Sequence, residues 1–400
     1  MSIVKKGLIL FSFVFIVLII SGCNSENASS EGDTIKIGAV LPMTGGNAVF
    51  GEKFEQAYTM AAEEINEAGG VNGKEIEIVI EDSEGDAQNA RSATEKLVSD
   101  DGILALTGGR SSGVTLVEAQ VAEENQIPYL IDHGSSDLAT MEGYTYVYRL
   151  NPTAGMYPNA LLDYFNENPP ESIAHINVDN AFGEAVYDYG LQGYVENSDV
   201  EYEMFEYTAG ELDLKPIMEQ AKGLNPEVVL MTSGNDNDAA QLMMAANEAS
   251  LSPELFVGTG AGHSIMGFAE QAGDLSETVL TAGPWHGDKN DEEYQAFFDK
   301  FTETYGNEPG EHEIEGYTAI YVLADAFERA EELNRESVLS ALDSTDLDTI
   351  FGPIKFEDFD GYTNQNRAIT DVSQWINGKM VTVYPEDQAQ QELVPFQGWD

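Results

Sequence analysis

A single cysteine in 400 residues, Cys23, excludes an intramolecular disulfide and leaves no thiolate pair for a metal or for redox chemistry. Histidine is nearly as scarce. Five are present, none in an HExxH spacing, so metal-dependent hydrolysis lacks its scaffold. Lysine and arginine total 18 against 71 acids, a formal charge of −53, and such a chain is repelled by nucleic acid and by anionic membrane surfaces. No Walker loop is present to cradle phosphates, and no Gly-x-Ser-x-Gly elbow presents a nucleophilic serine. Ser112, Asp132 and His133 are the ingredients of a triad, but neighbours on a strand point to opposite faces, so a relay is not expected. The chain is not expected to be an enzyme, and nothing in it implies a cofactor or a metal.

What is present describes a globular chain. Apolar residues make up 42% and aromatics 10%, ample for more than one core, and the length suggests two domains. A surface so rich in Asp and Glu is of the halophilic type, suited to hydration in concentrated salt. At the N-terminus, Lys5 and Lys6 precede "GLILFSFVFIVLII", an apolar run shorter than a membrane span that leads to Ser21-Gly22-Cys23. This pattern resembles a lipoprotein signal whose lipobox, Ile20-Ser21-Gly22, precedes an acylated Cys23. On that reading residues 1–22 are a signal peptide and 23–33 a flexible tether. The protein is then held at the outer face of the cytoplasmic membrane by lipid alone. The alternative is a plain signal anchor in which Cys23 is incidental.

From Thr34 strand and helix alternate. "TIKIGAVLP", "KEIEIVIED", "ILALTGG" and "IPYLIDHG" read as strands, separated by amphipathic helices at 53–70, 87–101 and 112–125. A second run has strands "SIAHINVDN", "EYEMFEYTA", "EVVLMTSG" and "ELFVGTG", with helices at 182–195, 214–224 and 237–250. Both runs predict α/β lobes with parallel sheets covered by helices. Helical patterns at 290–306 and 314–334 follow, then "FGPIKFED". A closing hairpin has Asn377-Gly378 as its turn.

The stretch "IKIGAVLPMTGGNAVFGEKFEQAYTMAAEEINEAGGVNGKEIEIVIEDSEGD" resembles the opening of the Leu/Ile/Val-binding proteins, the type I periplasmic binding proteins that serve ABC transporters. The likeness continues through "IPYLIDHGSSDLAT", "DNAFGEAVYDYG", "GYTAIYVLADAFERA" and "FGPIKFEDFDGYTNQN", in order along the chain. It implies two Rossmann-like lobes joined by three crossings, near Asn151, Pro284 and Phe351. One lobe would comprise 34–151 and 285–350, the other 152–284 and 351–400. It implies a small-molecule ligand in the cleft between them, a branched-chain or related amino acid by default, with ABC permease subunits as partners of a monomer. A ligand-binding sensor is the alternative function. The chain ends at Asp400 with no further helix to carry a signal, which favours transport.

Candidate site residues follow the strand ends. After "ILALTGG" come Arg110, Ser111 and Ser112 at a helix start, where hydroxyls, free N–H groups and the helix dipole favour a carboxylate. The resemblance gives Ser112 and Ser135 that role and has His133 lend its backbone carbonyl. Plain helix capping is the alternative for Ser111, Ser112, Ser135 and Ser136. Arg110 either clamps a ligand carboxylate or pairs with Glu52 or Glu118. Phe50 and Phe182 match pocket walls, and Asn235 falls where the family often has an aromatic. Amino-acid binders carry a glutamate for the ligand ammonium near Gly260, and none is found here. Asp236 or Asp238 would have to supply that charge, unless they cap a helix; a non-amino acid or an amide is the other possibility. Trp285, His286 and His312 are candidate rim groups.

Overall fold

The computed structural model describes residues 34–284 and 292–399, so Cys23, Trp285 and His286 lie outside the described residues. The first lobe opens with β1 (Thr34–Leu41), β2 (Glu75–Asp82), β3 (Ile103–Gly108), β4 (Tyr129–Ile131) and β5 (Val147–Arg149). The second holds β6 (Ser172–Val178), β7 (Glu201–Tyr207), β8 (Val228–Thr232), β9 (Leu255–Thr259) and β10 (Leu280–Gly283). Last come β11 (Asp346–Thr349), β12 (Gly352–Phe359), β13 (Tyr362–Asn366), β14 (Asp371–Ile376) and β15 (Lys379–Tyr384).

These strands form two sheets. The first has the order β11-β12-β13-β5-β4-β3-β1-β2 and the second β15-β14-β10-β9-β8-β6-β7. The central strands run parallel, and strands such as β6 and β8 are buried along their whole length because helices cover both faces. In the first lobe, helix Ala48–Glu67 packs on helix Glu311–Arg329 over a core that includes Phe54, Tyr58, Ile320 and Phe327. Met218, Met231, Met243 and Trp375 are buried in the core of the second. No helix among the described residues is long and apolar enough to cross a membrane.

The third crossing differs from expectation. β12 and β13 remain in the first sheet, and β14 is the strand that pairs with β10 of the second. The chain therefore changes lobe between Asn366 and Asp371, not near Phe351. "FGPIKFED" alternates as an edge strand would, but alternation does not say which sheet a strand joins. The helix expected at 182–195 is also interrupted. It is α-helical over Ala181–Ala185, widens to a π turn over Val186–Leu191, and resumes at Gln192–Asn197. The wide turn carries Gly190, where a Cβ would lie 2.7 Å from Pro158 Cγ. The Asn377-Gly378 turn is as expected, with φ of 53° and 72° for the mirror-image turn that fits a twisted hairpin.

Candidate functional site

Parallel strands place their carboxyl ends, and the loops that follow, on one side of each sheet. After β3 the backbone reaches φ of 116° at Gly108 and 85° at Gly109. A Cβ at Gly108 would lie 2.6 Å from the Val40 carbonyl oxygen, and one at Gly109 would lie 2.6 Å from the Tyr129 hydroxyl. The glycine pair is thus required, and it turns the chain so that Arg110 projects across the cleft. The Arg110 guanidinium lies 4.1 Å from the Phe50 ring centre, and its Nη2 donates to the Gly234 carbonyl of the other lobe at 3.1 Å. Arg110 pairs with neither Glu52 nor Glu118. It makes no ion pair with any described residue, and its Nε is shut off from solvent with no hydrogen-bond partner. Glu118 instead accepts from the Tyr129 hydroxyl at 2.5 Å, and burial pushes its carboxyl up to about 8.

The serines are not spent on capping. Ser111 occupies the N-cap of helix Ser112–Glu124 without a side-chain capping bond, and the buried Ser112 hydroxyl has no partner. Ser135 and Ser136 follow β4 and are buried. The neighbouring Tyr157 hydroxyl is held well above its ordinary range by burial and by the nearby Glu311. Buried Arg149 of β5 holds this loop by donating to the carbonyls of Gly134 and Ser136.

Several expectations are modified by the structure. Asp132 and His133 lie beyond the end of β4, so strand alternation does not apply, and His133 Nδ1 sits 2.7 Å from Asp132 Oδ1. The His133 ring packs on Phe54 with centroids 3.6 Å apart, and its Nε2 contacts the His312 carbonyl at 2.9 Å. Its side chain therefore belongs to the lobe interior. Asn235, where the family often has an aromatic, caps its helix, accepting from the Asp238 N–H at 2.8 Å. Asp238 accepts from Asn235 and Gly210, and Asp236 accepts from Gln271 at 3.0 Å. His312 is buried beside Phe50 and Phe54 and is not on a rim.

Gly260 explains the missing glutamate. Its φ is 105°, and a Cβ there would come within 2.5 Å of Phe182 Cζ. The Phe182 ring, set edge-on to Tyr157 with centroids 6.0 Å apart, occupies the space a side chain would need. Acidic groups enter the cleft from the opposite lobe instead, a feature the sequence reading missed. Glu311, His312 and Glu315 stand in the first turns of helix Glu311–Arg329, all buried, with candidate ligand atoms within 4.8 Å of one another. Glu311 accepts from the Ser264 hydroxyl across the cleft at 3.3 Å. Burial pushes the Glu311 carboxyl up to about 8, and burial together with Glu311 raises that of Glu315. Burial and then Arg110 push His312 well below its ordinary value, so its ring is neutral.

This arrangement of an unpaired cation, an unpaired hydroxyl and buried acids between two lobes suits capture of a small polar solute. The periplasmic binding protein family model matches residues 34–379. The chain belongs to the periplasmic binding protein family. Among relatives of this periplasmic binding protein, Leu/Ile/Val-binding protein homolog 8 of Brucella abortus is 28% identical over 385 residues, covering 89% of this chain and 91% of that protein. The substrate-binding protein of a Streptococcus pneumoniae branched-chain amino acid transporter, solved with isoleucine, matches with a TM-score of 0.76 and 22% identity. It covers 90% of this chain and 99% of its own. A solute-binding protein from R. palustris, solved with benzoate, also gives 0.76, at 19% identity, covering 92% and 98%. The family consists of extracytoplasmic solute-binding components of ABC transporters, and the fold here is of its type I.

Proposed function

We propose that the protein captures a small carboxylate-bearing solute in the interlobe cleft and delivers it to ABC permease subunits. It would act as a monomer tethered outside the cytoplasmic membrane by lipid on Cys23. The observation that carries this reading is Arg110, which reaches across the cleft without an anionic partner beside the partnerless hydroxyl of Ser112. A buried cation left unpaired costs stability, and an arriving carboxylate would satisfy both groups with charge-assisted hydrogen bonds. Isoleucine and benzoate, the solutes in two solved neighbours, share only that carboxylate as an ionic handle. A branched-chain or related amino acid is the reading adopted here.

The two lobes already touch through Arg110–Gly234 and Ser264–Glu311, contacts that an opening motion would break. After unfolding, dialysis and refolding, the empty protein should be titrated with branched-chain amino acids and benzoates. Binding should raise the melting temperature and reduce the radius of gyration in X-ray scattering. Tight binding with an unchanged scattering profile would count against closure, and binding confined to uncharged solutes would count against the carboxylate.

A further inference from the structure

We propose that Glu311 and Glu315 form a cation subsite in the first lobe that holds the amine of the same solute, so that the ligand is a small zwitterion. This rests on the carboxylate reading of the cleft and deepens it. The two acids stand four residues apart on one helix face, 2% and 1% exposed, and like charges at that spacing repel even in water. Burying both is costly unless something of opposite sign meets them. No lysine or arginine among the described residues forms an ion pair with either. Glu311 receives the Ser264 hydroxyl, Glu315 Oε2 lies 3.5 Å from His312 Nδ1 while its Oε1 has no partner, and neither acid is bridged to Arg110. The buried His312 Nε2 beside them is also unpartnered.

The acids and Arg110 share one neighbourhood: the guanidinium lies 4.1 Å from the Phe50 ring centre, the His312 ring meets Phe50 edge-on at 5.6 Å, and a ring nitrogen of His312 lies within 4.8 Å of carboxylate oxygens of both acids. A zwitterion supplies both missing charges at once. A divalent metal ion would satisfy the acids but leave Arg110 unpaired and repelled. In the empty site burial favours the neutral carboxyls, and an ammonium group would draw them into the ionised form. With Phe182 filling the space at Gly260, the first-lobe pair takes over the charge that the second lobe lacks.

The test uses refolded, ligand-free protein with two variants, Glu311→Gln and Glu315→Gln, which remove charge but keep shape. Calorimetry would compare leucine, isoleucine and valine with their deaminated acids, and with benzoate and the chlorides of zinc, manganese and calcium. At least one amino acid should bind about tenfold to a hundredfold more tightly than its deaminated acid. Each variant should lose about that factor for the amino acid while holding or gaining affinity for the deaminated acid. Equal binding of the two probes, equal losses for both in the variants, a response to metal ions alone, or no binding of any amino acid would overturn the subsite. If deaminated acids or benzoate bind and depend on Arg110, the carboxylate reading survives its failure. If no carboxylate of either kind binds, both readings fail.

Discussion

Arg110→Ala is expected to weaken binding of the carboxylate solute by at least about thirtyfold while leaving the melting temperature of the empty protein nearly unchanged. Truncating one member of a buried, hydrogen-bonded charge pair costs about 2–5 kcal/mol of binding. In the empty protein the same guanidinium stacks on the Phe50 ring and donates to one carbonyl but forms no ion pair, and its unpaired charge is a cost. Removing it therefore gives back roughly what the lost contacts contributed. The amide of the same solute should lose far less affinity, since it brings no charge to the arginine. Calorimetry with acid and amide, and a thermal melt without either, would check all three statements. Equal, large losses for acid and amide would mean that Arg110 holds its loop rather than the ligand.

Arg149 should behave in the opposite way, as a residue of the fold. It is fully buried in β5, ties down the Gly134 and Ser136 carbonyls, and faces the buried Asp137 carboxyl. Arg149→Met fits the space but strips two buried carbonyls of their donor. Leaving two such groups unsatisfied costs about 2–5 kcal/mol. The denaturant midpoint of the empty protein should fall accordingly, and ligand affinity should fall with it as the Ser135 loop loosens. A destabilisation below about 1 kcal/mol would show that water can take over as donor to those carbonyls.

The contrast between the two arginines shows what a sequence can and cannot express. Local chemistry was legible: the glycine pair before Arg110, the strand-to-helix entry at Ser112 and the Asn377-Gly378 turn each depend on residues within a few positions. Sheet membership was not. β12 and β13 stay in the first lobe because of pairing with β5, a partner some two hundred residues upstream, and no local pattern encodes that. The role of Glu311 and Glu315 was hidden for a different reason. In a chain with 71 acids, two glutamates at helical spacing look like a solvated face. The usable signal lay further along the helix, where Thr318 and Val322 continue the same face and are buried. Acids lying on the apolar stripe of a helix, rather than opposite it, mark a buried charge. The fate of Asn235 shows the converse, since a residue that caps helices by preference was capping one.

The most direct measurement is a crystal structure of the mature protein with the solute it carries from its cells. The account predicts electron density for one small molecule between the lobes, its carboxylate bonded to the Arg110 guanidinium and the Ser112 hydroxyl. A solute found outside the cleft, or within it but with no anionic group at Arg110 and Ser112, would contradict the account.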